Sequence, residues 1–320
     1  MGIESKAAWL EQVRKGTSFL LISHVNPDGD TIGSVLGLRL ALLHMGKKVK
    51  LVCDGDIPKN MSMLTGHECY LKPDQVEGTF DAAIAVDVSS PDMMGASLPL
   101  FEAAPVRMVM DHHSTNQAYG DINWICRGES ANCQIVYDAI MELGVPLTKE
   151  IANCVLLGLS TDTGHFQYAS TTARTIHTAA ALVDAGGEIS RISKLMYRSQ
   201  PMRRIQMTKI AYQKMHFEND GQIGMLDLTK ADFERTGCTF GEADGLVNLA
   251  LEIEGVRFAF LASERENGIK ISLRAAEPDT VNDVAVRFGG GGHAQAAGCT
   301  LYMSLEEAKQ TILEAIQAKL

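Results

Sequence analysis

Five aspartates and three histidines stand in four short polar clusters: His24-Val25-Asn26-Pro27-Asp28-Gly29-Asp30, Asp87, Asp111-His112-His113 and Asp162-Thr163-Gly164. Taken singly, each is unremarkable as chemistry. An Asp after an apolar run is usually a turn residue or a helix cap, and a lone His is usually a hydrogen-bonded surface residue. As a converging set they would behave differently. Gathered carboxylates repel one another and raise each other's pKa unless cations neutralise them. Oxygen ligands with a few imidazoles suit Mn²⁺ or Mg²⁺, and the nitrogens favour Mn²⁺. No Cys belongs to the set, which argues against structural zinc. Six or so such ligands serve two ions about 3.5–4 Å apart, with one carboxylate bridging. A pair of that kind clamps the attacking and leaving oxygens of an in-line displacement at phosphorus.

The elements around the clusters must bring them together. Apolar runs predict strands at 19–23, 48–53, 80–87, 106–110 and 120–126. Helical patterns fall at 7–13, 31–44, 130–143, from 148 to 164, 171–185 and 188–197. Strands alternating with helices argue for a doubly wound, mostly parallel sheet. In such a sheet the carboxyl ends of neighbouring strands open into one crevice, where ligands bind. Pro27 and Gly29 allow the sharp bend that would aim His24, Asp28 and Asp30 into it.

The texture changes after residue 200. Residues 201–214 read as a basic helix with few core candidates. From 215 a second α/β pattern begins, with strands at 216–217, 222–227, 256–263 and 269–274. Helices follow Thr229, lie around 244–251 and at 281–288, and close the chain from Ser304. The expected organisation is a domain over 1–190, a helical linker over 191–214 and a smaller α/β domain over 215–320.

Composition narrows the classes. The 320 residues are 46% hydrophobic and 21% charged, with net charge −10, which suits a globular chain of about two domains. No Lys/Arg block is present, so duplex nucleic acid is not an expected partner. The seven Cys are scattered, odd in number and without a CxxC, which fits reduced thiols and a cytoplasmic protein. Residues 1–16 contain no signal-peptide core, no apolar run reaches the length of a membrane span, and no membrane partner is expected.

The order and spacing of these clusters, followed by Phe288-Gly289-Gly290-Gly291-Gly292-His293, resemble the DHH phosphoesterase superfamily over nearly the whole chain. The second domain is similar to the DHH-associated C-terminal domain, and the chain is most like the bifunctional nano-RNase/pAp-phosphatase branch. The resemblance implies a metal-dependent hydrolase that degrades oligoribonucleotides of a few residues exonucleolytically. It also implies conversion of 3′-phosphoadenosine 5′-phosphate (pAp) to AMP, with an active site in the cleft between the domains. By the same resemblance His24, Asp28 and Asp87 hold one Mn²⁺, with Mg²⁺ as the alternative. Asp30, Asp87, His112 and Asp162 hold the second ion, so Asp87 bridges, and a water between the ions is the nucleophile. Asp111 orients the neighbouring imidazoles, and His113 contacts the scissile phosphate. Arg274, Gly290, Gly291, Gly292 and His293 grip the substrate's other phosphate. Implied partners are short RNA or dinucleotides, and a homodimer is compatible with the resemblance. Three departures bear on substrate choice: Met93 stands where relatives often carry a basic residue, Gln134 where they carry a carboxylate, and Ala294-Gln295-Ala296 differs from some relatives in its small-residue pattern. Two other functions compete. One is a cyclic or linear dinucleotide phosphodiesterase. The other is a non-catalytic nucleotide-binding protein, disfavoured because every expected ligand is present.

Overall fold

Strand β2 (Ser18–Ile22) shows why the sheet is parallel and enclosed. Its Phe19 and Leu21 pack into one apolar cluster and Leu20 and Ile22 into another, so both faces are buried. A computed structural model describes residues 3–58, 61–243 and 245–320, and it divides into two compact units after Ser199.

In chain order the first unit contains β1 (Ile3–Glu4), α1 (Lys6–Lys15), β2 (Ser18–Ile22), α2 (Gly29–His44) and β3 (Lys48–Val52). Next come β4 (Tyr70–Leu71), β5 (Ala82–Val86), α3 (Leu98–Glu102), β6 (Arg107–Asp111) and β7 (Ile122–Ile125). Helices α4 (Asn132–Glu142), α5 (Lys149–Asp162), α6 (Ala173–Asp184) and α7 (Ile189–Ser193) complete it. Among the described residues the seven strands pair in the order β1-β7-β6-β5-β2-β3-β4, and every pair is parallel. This is the doubly wound, mostly parallel sheet that the sequence predicts, with every described pair parallel. The edge strands β1 and β4 hold two residues each, too short for any periodic signal.

Helix α2 is apolar nearly all round, with Ile32, Val35, Leu36, Leu38 and Leu42 at 0% exposure. It lies close against α5: a Cβ on Gly33 would come within 2.4 Å of the Cys154 carbonyl oxygen. This close packing anchors the end of α2 that carries Asp30.

The second unit begins with α8 (Met202–Lys214), β8 (His216–Glu218), β9 (Ile223–Leu228), α9 (Lys230–Thr236), α10 (Phe240–Ala243) and α11 (Asn248–Leu251). It continues with β10 (Phe258–Arg265), β11 (Gly268–Ala275), α12 (Asn282–Arg287), β12 (Gly291–Gly292), β13 (Ala296–Leu301) and α13 (Leu305–Gln317). Its mixed sheet runs β12-β13-β11-β10-β9-β8, with only β9 and β10 parallel among the described residues. The helix expected around 244–251 corresponds to α11, and position 244 lies outside the described residues. Helix α8, expected to be part of a connector, carries Met207, Ile210 and Ala211 into an apolar cluster with Leu226, Phe233 and Leu261. Its basic residues hid this narrow apolar stripe, which has three buried positions in 13 residues.

Candidate metal centre and active site

Connectivity reverses between β2 and β5. The chain leaves β2 towards β3 on one side of the sheet and leaves β5 towards β6 on the other. At such a switch point the loops part and leave a crevice beyond the strand ends. His24 follows β2, Asp87 follows β5 directly, and Asp111 ends β6. Asp87 has φ 60°, a left-handed conformation unusual for a side-chain-bearing residue and common where function demands it.

His24, Asp28 and Asp87 form one group, whose ligand atoms lie within 4.8 Å of one another. Asp28 caps α2, and its Oδ1 accepts from the Asp30 and Thr31 backbone N–H groups, both at 3.0 Å. The Thr31 hydroxyl sits 2.6 Å from His24 Nε2, 2.6 Å from Asp87 Oδ2 and 3.2 Å from Asp28 Oδ1.

Asp30, His112 and Asp162 form a second group, and Asp87, His112 and His113 a third. Asp30 is fully buried, and the first turn of α4 holds it: Asn132 N–H donates to Oδ2 (2.5 Å) and Cys133 N–H to Oδ1 (2.9 Å). Gly158 makes room for it, since a Cβ there would stand 2.6 Å from Asp30 Oδ1. His112 Nδ1 donates to the Glu129 carbonyl at 3.0 Å, because a carbonyl can only accept. In the neutral ring, Nε2 is then a bare lone pair. It faces Asp162 Oδ2 at 3.4 Å, Asp87 Oδ1 at 3.6 Å and Asp30 Oδ2 at 3.8 Å. Asp87 Oδ1 is buried without a hydrogen-bond partner. Four acceptors aimed at one another are stable only around a cation or shared protons, so the donor set fits a divalent metal.

His113 Nδ1 lies 2.8 Å from Asp111 Oδ1. Asn116 Nδ2 donates to Asp111 Oδ2 at 2.7 Å and to the Val88 carbonyl at 3.1 Å, which ties this pair to the loop after β5. Burial alone would hold His113 neutral, yet its bond to Asp111 and the surrounding carboxylates prevail and raise its pKa. Burial lowers the pKa of His24. Burial, then Asp30, Asp28 and Asp111, push the Asp87 carboxyl well above the usual range. Asp162 is driven up in the same way, and Asp30 is raised chiefly by burial.

A model of the DHH family N-terminal domain matches residues 18–159, and a model of the DHHA1 domain matches residues 210–320. The bifunctional oligoribonuclease and PAP phosphatase NrnA of Thermus thermophilus is 33% identical over 303 residues, covering 94% of this chain and 89% of the relative. The chain belongs to the DHH family. The protein of the same name from Bacillus subtilis is 24% identical and covers 93% of each chain. The crystal structure of an exopolyphosphatase-related protein from Bacteroides fragilis superposes with a TM-score of 0.93 at 25% identity, over 99% of this chain and 98% of that one. As a DHH protein the chain is a phosphoesterase, a hydrolase whose strand-end carboxylates and imidazoles form clusters suited to divalent metals.

The DHHA1 unit holds the remaining expected residues. Half-buried Arg274 lies opposite Ala296 across β11 and β13. The His293 carbonyl accepts from Ala296 N–H (3.2 Å) and His293 N–H donates to the Ala296 carbonyl (2.8 Å), so Arg274 and His293 share one sheet end. Gly291 and Gly292 pair with β13 as a short strand. Gly290 is required sterically, since a Cβ there would stand 2.1 Å from the Gly298 carbonyl oxygen. Gln134 turns away from the cluster: it is buried, and its Nε2 donates to Thr178 Oγ1 at 3.0 Å.

Sequence reasoning missed four contributors to this cluster: Thr31, Asn116 and the backbone N–H groups of Asn132 and Cys133. Only Thr31 had a local signal, as the third residue after the Asp28 cap. Thr31→Val keeps the side-chain shape and strips partners from three polar atoms. In EDTA the variant is expected to lose about 1–3 kcal/mol of stability in urea unfolding. An unchanged midpoint would show that the hydroxyl ties nothing together.

Proposed function

We propose that this phosphoesterase hydrolyses oligoribonucleotides of a few residues and converts pAp to AMP, using two divalent cations with Mn²⁺ preferred. The observation that carries the proposal is the inward ring of acceptors around His112 Nε2, with Asp87 shared between ligand groups. The names of the relatives from Thermus and Bacillus point to the same two substrates. His24, Asp28 and Asp87 would hold one ion, and Asp30, Asp87, His112 and Asp162 the other. When bound, the ions supply charge neutralisation at the phosphoryl oxygens and an acidified water. The protein's own groups do the rest. Asp111, itself held by Asn116, keeps the His113 ring oriented. Through its bond to Asp111, His113 is placed to hold a proton for the leaving oxygen. Arg274 and His293 would anchor a second phosphate, Arg274 as a forked donor. No helix among the described residues is long and apolar enough to cross a membrane. The seven free thiols support a cytoplasmic setting.

The test is product analysis of the purified chain with Mn²⁺ and with Mg²⁺ on pAp, diribonucleotides, longer RNA and cyclic dinucleotides. The expected result is fastest turnover of pAp and the shortest RNAs, with Mn²⁺ ahead of Mg²⁺. Rapid cleavage of cyclic dinucleotides with slow pAp turnover would reassign the chain to the dinucleotide phosphodiesterases.

A further inference from the structure

A cleft of about 270 Å³ is lined by His165, Ile189, Ser190, Ser193 and Arg198, all from the first unit. The reaction as described uses none of them. The lining offers a guanidinium, an imidazole, two hydroxyls and one aliphatic chain, with no carboxylate. Among the described residues no carboxylate pairs with Arg198. Such a wall favours an anion attached to a flat or apolar body.

The backbone is bent to build it. Gly164, His165 and Phe166 are successive residues with positive φ, at 55°, 60° and 66°. Side-chain-bearing residues rarely adopt that region, and a run of them needs support. The support is visible: His165 N–H donates to the Ser160 carbonyl (2.6 Å), and Nδ1 lies 2.9 Å from Ser160 Oγ. The His165 ring leans on Tyr197 at 5.0 Å, and the Tyr197 hydroxyl donates to the Ser160 carbonyl at 2.9 Å. Tyr168 lies over Gly164 and is 56% exposed. After α7 the chain widens into a π-helical turn, Lys194–Arg198, a rare geometry often found at functional sites. That turn delivers Tyr197 and Arg198.

The cleft is close to the acidic cluster. Asp162 precedes His165 by three residues, so their Cα atoms lie within about 11 Å. Burial chiefly, with Tyr168 and Asp162 adding, raises the Tyr197 phenol, so Tyr197, whose ring packs on the lining residue His165, is within electrostatic reach of Asp162.

We propose that this cleft seats the nucleotide next to the scissile phosphate, its own phosphate on Arg198, Ser190 and Ser193 and its base against Tyr168, Tyr197 and His165. Aromatic faces stack any base and arginine grips phosphate, so the subsite is sequence-tolerant. The assignment builds on the oligoribonucleotide activity proposed above.

Arg198→Ala, Arg198→Lys and Tyr168→Ala test it, with circular dichroism to check the fold. The probe is 5′-phosphorylated triadenylate, whose three phosphates supply one for Arg274 and His293, the scissile one and one for Arg198: turnover with Mn²⁺, and fluorescence polarisation of the labelled trinucleotide with EDTA-treated protein. For Arg198→Ala, KM is expected to rise about tenfold while kcat falls less than about threefold, the loss of one charge-assisted contact in binding. Polarisation affinity should weaken by a similar factor of about ten, with partial recovery in Arg198→Lys and a smaller loss in Tyr168→Ala. Unchanged KM and affinity would overturn the proposal. So would a fall in kcat alone, which would place Arg198 with the chemistry or the fold. If the wild type does not cleave the triadenylate, the proposed activity fails, yet polarisation still decides the cleft. Binding lost in Arg198→Ala sustains it, and equal binding in both proteins overturns it.

Discussion

Asp87→Asn is expected to cut cation-dependent hydrolysis about 10³-fold or more, the rate equivalent of losing several kcal/mol of charge stabilisation at the transition state. Asp87 is shared by two of the three ligand groups, so its loss would disturb the holding of both ions. Asparagine is the clean substitution. It tolerates the left-handed φ of 60° that position 87 requires, whereas alanine would add backbone strain. It also keeps an acceptor for the Thr31 hydroxyl. Stability should move in the opposite direction from activity. The Asp87 carboxyl is buried among Asp30, Asp28 and Asp111, which disfavours its charge in the folded state. A neutral amide removes that repulsion, so in EDTA the variant is expected to unfold at higher urea than the wild type. Turnover, metal content by mass spectrometry and urea midpoints together decide the matter. Full Mn²⁺-dependent turnover in Asp87→Asn would remove this residue from the metal centre.

The second large effect is thermal. Adding Mn²⁺ to EDTA-treated protein at pH 7.5 is expected to raise the unfolding temperature of the first unit by about 5–10 °C when the free ion is about 100-fold above its Kd. The shift should shrink at pH 5. The sign follows from Asp30, Asp87 and Asp162, whose pKa values are raised on folding. Above the ordinary carboxylate value of about 4, the unfolded chain gives up these protons before the folded chain does. The folded state then binds more protons, so without metal its stability falls as pH rises towards the folded pKa values. Cation binding releases those protons, so affinity and stabilisation grow with pH. Differential scanning fluorimetry with and without Mn²⁺ at the two pH values measures this. An equal shift at both, or none at pH 7.5, would contradict the assignment of these carboxylates as ligands.

Legibility in the sequence followed from how local each signal was. Strands β2, β5 and β6 are short apolar runs that each end in chemistry-bearing residues, so both the elements and their polar ends were readable in place. The helix patterns between them implied a doubly wound sheet, and that topology alone predicted that the ends would meet. The two-residue strands β1 and β4 were invisible because pairing with β7 and β3, rather than any pattern of their own, makes them strands. Helix α8 was misread for a related reason. Its basic residues dominate the local pattern, and only packing against β9 and β10 shows which side is core.

By itself the sequence determined the α/β class and the family, and it singled out eight strand-end and turn residues as candidates. Those properties reside in residue type, order and spacing along the chain. Tertiary structure decided what each of the eight touches. Asn132 and Cys133 hold Asp30 from about 100 positions away, and Thr31 reaches Asp87 across 56. The Glu129 carbonyl sets which nitrogen of His112 faces the carboxylates. Hydrogen bonds between groups so far apart leave no periodic trace, because they depend on where the sheet and helices bring the backbone. The strand ends therefore announced themselves, while the protonation and orientation that would make them a metal centre came only from the fold.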